Sequence, residues 1–170
     1  MRVGIDARKI ADYGIGTYIR GLLRALAAQG AHQYVAFAPE GVALPDGVEH
    51  VAVDAPHYSV RELIVVGRAA DRARLDLFHA PHYVVPFTRV PVVVTIHDLI
   101  HLHRPARNPL APLYARTMLG RAVRKAARVL TVSEAVKREI AGELACDEAK
   151  IAVTPNGVDE IFFSSGGGGG

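Results

Sequence analysis

The chain has a single cysteine in 170 residues, Cys146. It permits no internal disulfide, and such a sequence suits a reducing compartment. Long apolar runs are also missing: none approaches the roughly 20 residues that cross a bilayer as a helix. The opening MRVGIDARKIADYG lacks the apolar stretch of a secretory signal, so a cytoplasmic protein is expected. Several catalytic arrangements are absent too. Nothing resembles a Ser-His-Asp triad, Cys146 lies beyond a predicted helix end, and no pair of carboxylates stands out for glycoside hydrolysis. Charge is not piled up in one sign: 20 basic residues face 17 acidic ones, for a formal charge of +3 and a pI near 9.2. That mild basic bias suits anionic ligands or lipid head groups and gives no case for nucleic acid.

What is present is ordinary globular material, 50% hydrophobic and 22% charged, enough for one compact domain with a sizeable core. The domain is expected to span 1–163. The run SSGGGGG at 164–170 has nothing to bury; it reads as a flexible Ser/Gly tail, an added or edited terminus outside the fold.

Apolar runs alternate with segments of helical period. Strands are predicted at 2–7, 33–38, 49–53, 76–80, 90–96, 128–133 and 150–155, and several are continuously apolar and β-branched, as strands covered on both faces should be. Helices are predicted at 16–28, 59–74, 110–127 and 133–144. Gly30 stops the first, and Ser133 caps the last with Glu134 in its first turn. The pattern predicts an α/β fold: a Rossmann-like, doubly wound, mainly parallel sheet with helices on both faces. In such sheets ligands bind beyond the carboxyl ends of the strands. DARKIADYGIG, HAPHYVVP, IHDLIHL, VSE and TPNGVD all fall at that edge.

Gly14 and Gly16 precede a helix, where glycine lets the backbone approach an anion and the helix end supplies free N–H groups. A plain turn is the alternative. The loop is neither a dinucleotide fingerprint, since the next glycine is Gly21, nor a Walker loop, since no Gly-Lys-Ser/Thr ending follows. In VVVTIHDLIHLH, His97 and Asp98 stand where a central strand ends. With His101 and His103 they could ligate a metal, as a small metal-dependent hydrolase would. No supporting spacing accompanies them, and hydrogen bonding to a polyhydroxylated ligand fits better. Of His79 and His82, one is expected to line the cleft and the other to cap its loop. HYVVPF (82–87) is expected to expose apolar groups at the cleft edge. Helix 110–127 carries Arg116, Arg121, Arg124 and Lys125, with Arg128 just beyond. These form either a solvated face or a patch for anionic lipid heads.

Four stretches taken together, YGIGTYIRGLLRAL, VVVTIHDLIHL, VLTVSEAVKREI and KIAVTPNGVD, occur here in the order seen in glycosyltransferase family 4. From about Arg2 to Phe163 the chain resembles the N-terminal domain of such an enzyme, one half of a GT-B architecture. The GIGTY opener is most similar to mannosyltransferase-like members that build surface polysaccharides. The resemblance implies a retaining transfer from a nucleotide-sugar donor, held mainly by a C-terminal domain, to a glycan or lipid-linked acceptor. It implies no metal and no cofactor. Gly14 and Gly16 would then face the diphosphate and His97 the transferred sugar. Asp98 would orient its loop or the acceptor, and Ser133 and Glu134 would border the cleft. This chain alone is expected to lack turnover. The alternative is a non-catalytic module that binds a glycan or lipid acceptor. A cytoplasmic protein is implied, with helix 110–127 as the candidate contact with the inner face of the membrane.

Overall fold

The computed structural model describes residues 1–55, 59–103 and 111–158. The predicted tail at 164–170, the boundary at 163 and the first residue of predicted helix 110–127 lie outside them.

Seven strands form one wholly parallel sheet: β1 (Arg2–Asp6), β2 (Gln33–Ala38), β3 (Val48–Ala52), β4 (Leu77–Ala80), β5 (Val92–Ile96), β6 (Arg128–Thr131) and β7 (Ile151–Val153). Their order is β3-β2-β1-β4-β5-β6-β7. The sheet grows outward in both directions from β1 and β4, and Ile5 sits in register between Ala36 of β2 and His79 of β4. Such a reversal opens a crevice at the carboxyl ends of the two middle strands, because the crossovers on either side leave in opposite directions.

The helices are α1 (Ile15–Gln29), α2 (Val60–Arg72), the single turn α3 (Ile100–His103), α4 (Ala111–Lys125) and α5 (Glu134–Leu144). Alternation along the strands separates two apolar cores. Tyr34, Ala36 and Ala38 of β2 join Val3 and Ile5 against Ile19 and Leu23 of α1. Val35 and Phe37 face the other way, into a larger core with Leu63 and Val66 of α2, Leu119 and Val123 of α4 and Ile140 of α5. Helices therefore cover both faces. Their ends follow the expected chemistry. Gly30 closes α1 in the left-handed conformation, and Ser59 and Ser133 accept hydrogen bonds from the Glu62 and Val136 amides. Two stretches at the cleft edge defied expectation. The residues after Asp98 wind into α3 instead of a plain loop, and HYVVPF is not an exposed edge. Tyr83, Val84 and Val85 are buried in the larger core, and only Phe87 remains half exposed. The loop is drawn in by α2: the Phe87 amide donates to the Leu63 carbonyl, and a Cβ on Gly67 would fall inside the Phe87 carbonyl.

A buried ion cluster joins the end of β1 to the start of α2. Arg8 donates to Asp6 through Nε (2.8 Å) and Nη2 (2.6 Å), and Nη2 also lies 2.9 Å from Glu62. The Arg8 guanidinium is held charged although burial works against it, because Asp6 and Glu62 favour the cation.

Candidate functional site

A cleft of about 490 Å³ opens at the strand-order reversal. The β1–α1 connection contributes Lys9 and Gly14, the segment after β4 contributes His82, and the end of β5 contributes His97 and Asp98. Gly14 stands at the N-cap of α1 with φ of 72°, in a tight turn that the Ile15 amide closes on the Tyr13 carbonyl and that favours glycine. Gly16 lies one step behind it, buried; a Cβ there would run into the Ile10 carbonyl, so its bareness lets the loop fold flat on α1.

His97 is half-buried. Its Nε2 lies 3.2 Å from the Pro81 carbonyl, which can only accept, so Nε2 carries the proton and Nδ1 the lone pair. The imidazole also meets the Tyr18 ring edge-on, with centroids 4.7 Å apart. Burial lowers its pKa, opposed by the Pro81 contact and the Asp98 charge. Asp98 Oδ1 accepts from the Ile100 amide at 3.0 Å and so begins α3. The predicted Gly14, His97 and Asp98 are thus brought together. Ser133 and Glu134 are not among the residues lining this cleft; Ser133 caps α5 and Glu134 is exposed in its first turn.

His82 lines the cleft, as one of the two loop histidines was expected to. His79 does not cap the loop. It is buried inside the sheet, with Nε2 2.8 Å from Thr95 Oγ1. Sequence reasoning also passed over Lys9, Tyr18 and Thr95. A signal existed for the last two: a hydroxyl inside the apolar run VVVTI, and an aromatic four residues after Gly14 on the same helix face.

Burial, with a smaller push from His97, depresses His79 to about 4. Burial, then Lys9, depresses His82 to about 3. Both rings are neutral when folded at neutral pH, whereas in the unfolded chain they protonate near pH 6.5. Lowered folded values mean that the unfolded state binds more protons in acid. Stability should be intact above about pH 6.5 and fall as pH drops toward 4, on the order of 1 kcal/mol per pH unit for each ring. Urea midpoints from pH 7.5 to 4.5 check this, and a midpoint that stays flat over that range would contradict it.

At the opposite, amino edge of the sheet lies an open groove of about 600 Å³ between Phe87, Arg89, Arg121, Arg124 and Lys125. The basic patch predicted on helix 110–127 is reshaped here. Arg121 is drawn into the fold, donating to the Val85 and Pro86 carbonyls with its guanidinium 4.3 Å from the Phe87 ring centroid. Arg116, Arg124 and Lys125 stay exposed. The metal arrangement suggested by HDLIHLH does not form among the described residues. His103 Nε2 lies 3.1 Å from Glu143 and His101 packs edge-on to Tyr83, and no three His, Cys, Asp or Glu side chains gather to hold an ion. No helix among the described residues is long and apolar enough to cross a membrane.

A parallel sheet of this order, with polar loops converging at its reversal, defines a Rossmann-like, doubly wound domain. The chain belongs to glycosyltransferase family 4, whose model, described as Glycosyltransferase Family 4, matches residues 13–161. Among solved structures it is similar to sucrose-phosphate synthase from Thermosynechococcus elongatus, with 14% identity and a TM-score of 0.69 over 95% of this chain and 49% of that one. Anabaena HepE in complex with UDP-glucose is similar at 15% identity and a TM-score of 0.64, covering 96% of this chain and 46% of that one. A glycosyltransferase from Rickettsia africae ESF-5 is similar at 17% identity and a TM-score of 0.59, covering 98% and 45%. The chain therefore spans about half the length of the structures it matches. No curated protein matches it in sequence.

Proposed function

We propose that this domain is the acceptor-side, N-terminal half of a retaining glycosyltransferase, which moves a sugar from a nucleotide-sugar donor to a glycan or lipid-linked acceptor. The observation that carries the reading is the cleft itself: Gly14, His97 and Asp98 converge at the strand-order reversal of a family 4 domain. A nucleotide sugar as donor is supported by the structurally similar HepE, described in complex with UDP-glucose; mannose is the sugar that the GIGTY opener suggests. Gly14, at the amino end of the 15-residue α1, lets the donor diphosphate come close to the backbone and to the partial positive charge of the helix, the Ile15 and Gly16 amides being bonded to the Tyr13 and Asp12 carbonyls. Gly16 keeps that loop close to the helix. His97 hydrogen-bonds the sugar, and Asp98 orients the loop that carries His97.

In the reaction, the bond from the anomeric carbon to the diphosphate oxygen breaks and a bond to the acceptor oxygen forms. The acceptor proton passes to the departing diphosphate oxygen. No protein carboxylate is required as base, and the nucleotide sugar is substrate, with no further cofactor invoked. Arg116, Arg124 and Lys125, joined by Arg89 and the half-exposed Phe87, form the peripheral contact with anionic lipid at the cytoplasmic face.

The test is transfer of radiolabelled sugar from UDP-glucose and GDP-mannose to lipid-linked and glycan acceptors. The chain alone should show none above a heat-treated control, and the chain joined to a donor-binding half should show transfer. Turnover by the chain alone would overturn the half-enzyme reading. Acceptor binding with no transfer in the joined enzyme would leave a binding module instead.

A further inference from the structure

Resting on that reading of the cleft, we infer that Tyr18 is a specificity-determining residue, its hydroxyl fixed by a buried Thr95–His79 chain so that it receives a hydroxyl group of the sugar. Three elements build this arrangement. Gly14 and Gly16 set the start of α1 and thereby place Tyr18, its fourth residue, where it lines the cleft and packs against the α1-side core. Thr95 lies on β5 two residues before His97, and His79 is paired with Val93 on the neighbouring strand. All three strand residues, His79, Val93 and Thr95, share the face that α1 covers. The Tyr18 hydroxyl is 3.3 Å from Thr95 Oγ1, which in turn is 2.8 Å from His79 Nε2.

The inner two members are almost wholly buried, Thr95 at 1% exposure and His79 at 7%. A threonine hydroxyl and a neutral imidazole in an apolar sheet are costly unless they bond to each other. Here they do, and Tyr18 extends the chain to the cleft. Thr95 has one proton. If His79 Nε2 donates to Thr95, the Thr95 proton goes to Tyr18 and the phenol proton is free for ligand. If Thr95 donates to His79, the phenol proton points inward and Tyr18 accepts from ligand. Either tautomer gives the phenol oxygen a fixed polarity. Its proton is retained at neutral pH, since burial raises the Tyr18 pKa, opposed by the Thr95 bond. The edge-on contact sets the Tyr18 ring against the His97 imidazole, so that the phenol and the imidazole line the cleft together. A polyhydroxylated ring is the ligand class that such a donor–acceptor pair recognises.

The experiment uses the chain itself with methyl α-D-glucopyranoside, methyl α-D-mannopyranoside and their monodeoxy analogues, binding being followed by NMR at millimolar concentrations. Tyr18→Phe keeps the ring and its contact with His97, so the His97 resonances and the thermal midpoint should hold. Affinity for the preferred glycoside should fall about three- to tenfold, the worth of one hydrogen bond. One monodeoxy analogue should show the same loss with wild type and no further loss with Tyr18→Phe, a non-additivity that only direct contact produces. Thr95→Val, which removes the anchor and leaves the phenol, should lower affinity in the same direction. Wild type that binds neither glycoside overturns the sugar-cleft reading and this inference with it. Wild type that binds, with Tyr18→Phe unchanged or with additive losses for every analogue, overturns this inference alone.

Discussion

Replacing His97 with alanine should lower kcat of the joined, two-half enzyme by roughly 100-fold or more, with a cost to domain stability of only about 1–2 kcal/mol. The two effects separate because of where the ring sits. It is half-buried at the mouth of the cleft, so its loss leaves no closed cavity of the kind that makes core truncations cost about 2–5 kcal/mol. What folding loses is the hydrogen bond to Pro81 and the edge contact with Tyr18. What catalysis loses is a preorganised imidazole whose orientation is already set on two sides, so that no rearrangement accompanies the build-up of charge on the sugar. Urea midpoints of the domain and kcat of the joined enzyme decide the matter. A variant that unfolds while its folded fraction keeps full kcat would make His97 a structural residue.

Arg8→Met should be the most damaging single change to the fold. The Arg8 side chain is 5% exposed and that of Glu62 only 2%. Removing the guanidinium takes the buried positive charge away from the carboxylates of Asp6 and Glu62, in surroundings with little water, and leaves Asp6 the bond from the Arg8 amide. Breaking a buried pair from one side typically costs about 3–5 kcal/mol, the desolvation of the abandoned charge exceeding the worth of the lost attraction. Against a usual total of about 5–15 kcal/mol, that brings the domain close to unfolding at 25 °C. Arg8→Lys should fall between, since it keeps the charge but not the fork that engages Asp6 through two nitrogens. Denaturant melts of the three proteins give the ranking, and Arg8→Met within about 1 kcal/mol of wild type would refute it.

The layout of the sheet was legible because its strands are covered on both faces. VPVVVTI and QYVAFA read as strands without any need for alternation, and the polar residues collected at the same ends of successive strands. That His97 and Asp98 line the cleft followed from that placement. The interior polar chemistry was less legible. Arg8 and Glu62 are 54 positions apart and look, in one dimension, like two ordinary surface charges; only the β1–α2 juxtaposition makes them partners. His79 was grouped with His82, three positions on, as a loop residue, although the predicted strand 76–80 already held it; as the third residue of β4 it lies inside the sheet. HYVVPF was misread for a related reason. A hydrophobic connection beside a cleft suggests an open edge, whereas here Gly67 leaves room on α2 for the connection to sink into the core. Arg121 was likewise counted with the surface charges of its helix, although its reach let it satisfy two loop carbonyls.

Because β1 stands between β2 and β4, it keeps one open edge after β2, later in the chain, already has both its neighbours in β1 and β3. Pairing with β2 can begin once residue 38 has emerged, but the other edge of β1 waits for Leu77–Ala80. At typical translation speeds the stretch from residue 38 to residue 77 takes roughly 2–8 s to make. Throughout that interval the nascent chain carries a short apolar strand with an open hydrogen-bonding edge, the surface to which another chain can add by strand pairing. Slow codons or a holding chaperone would have their greatest influence on yield in that window, before β4 arrives to close the edge.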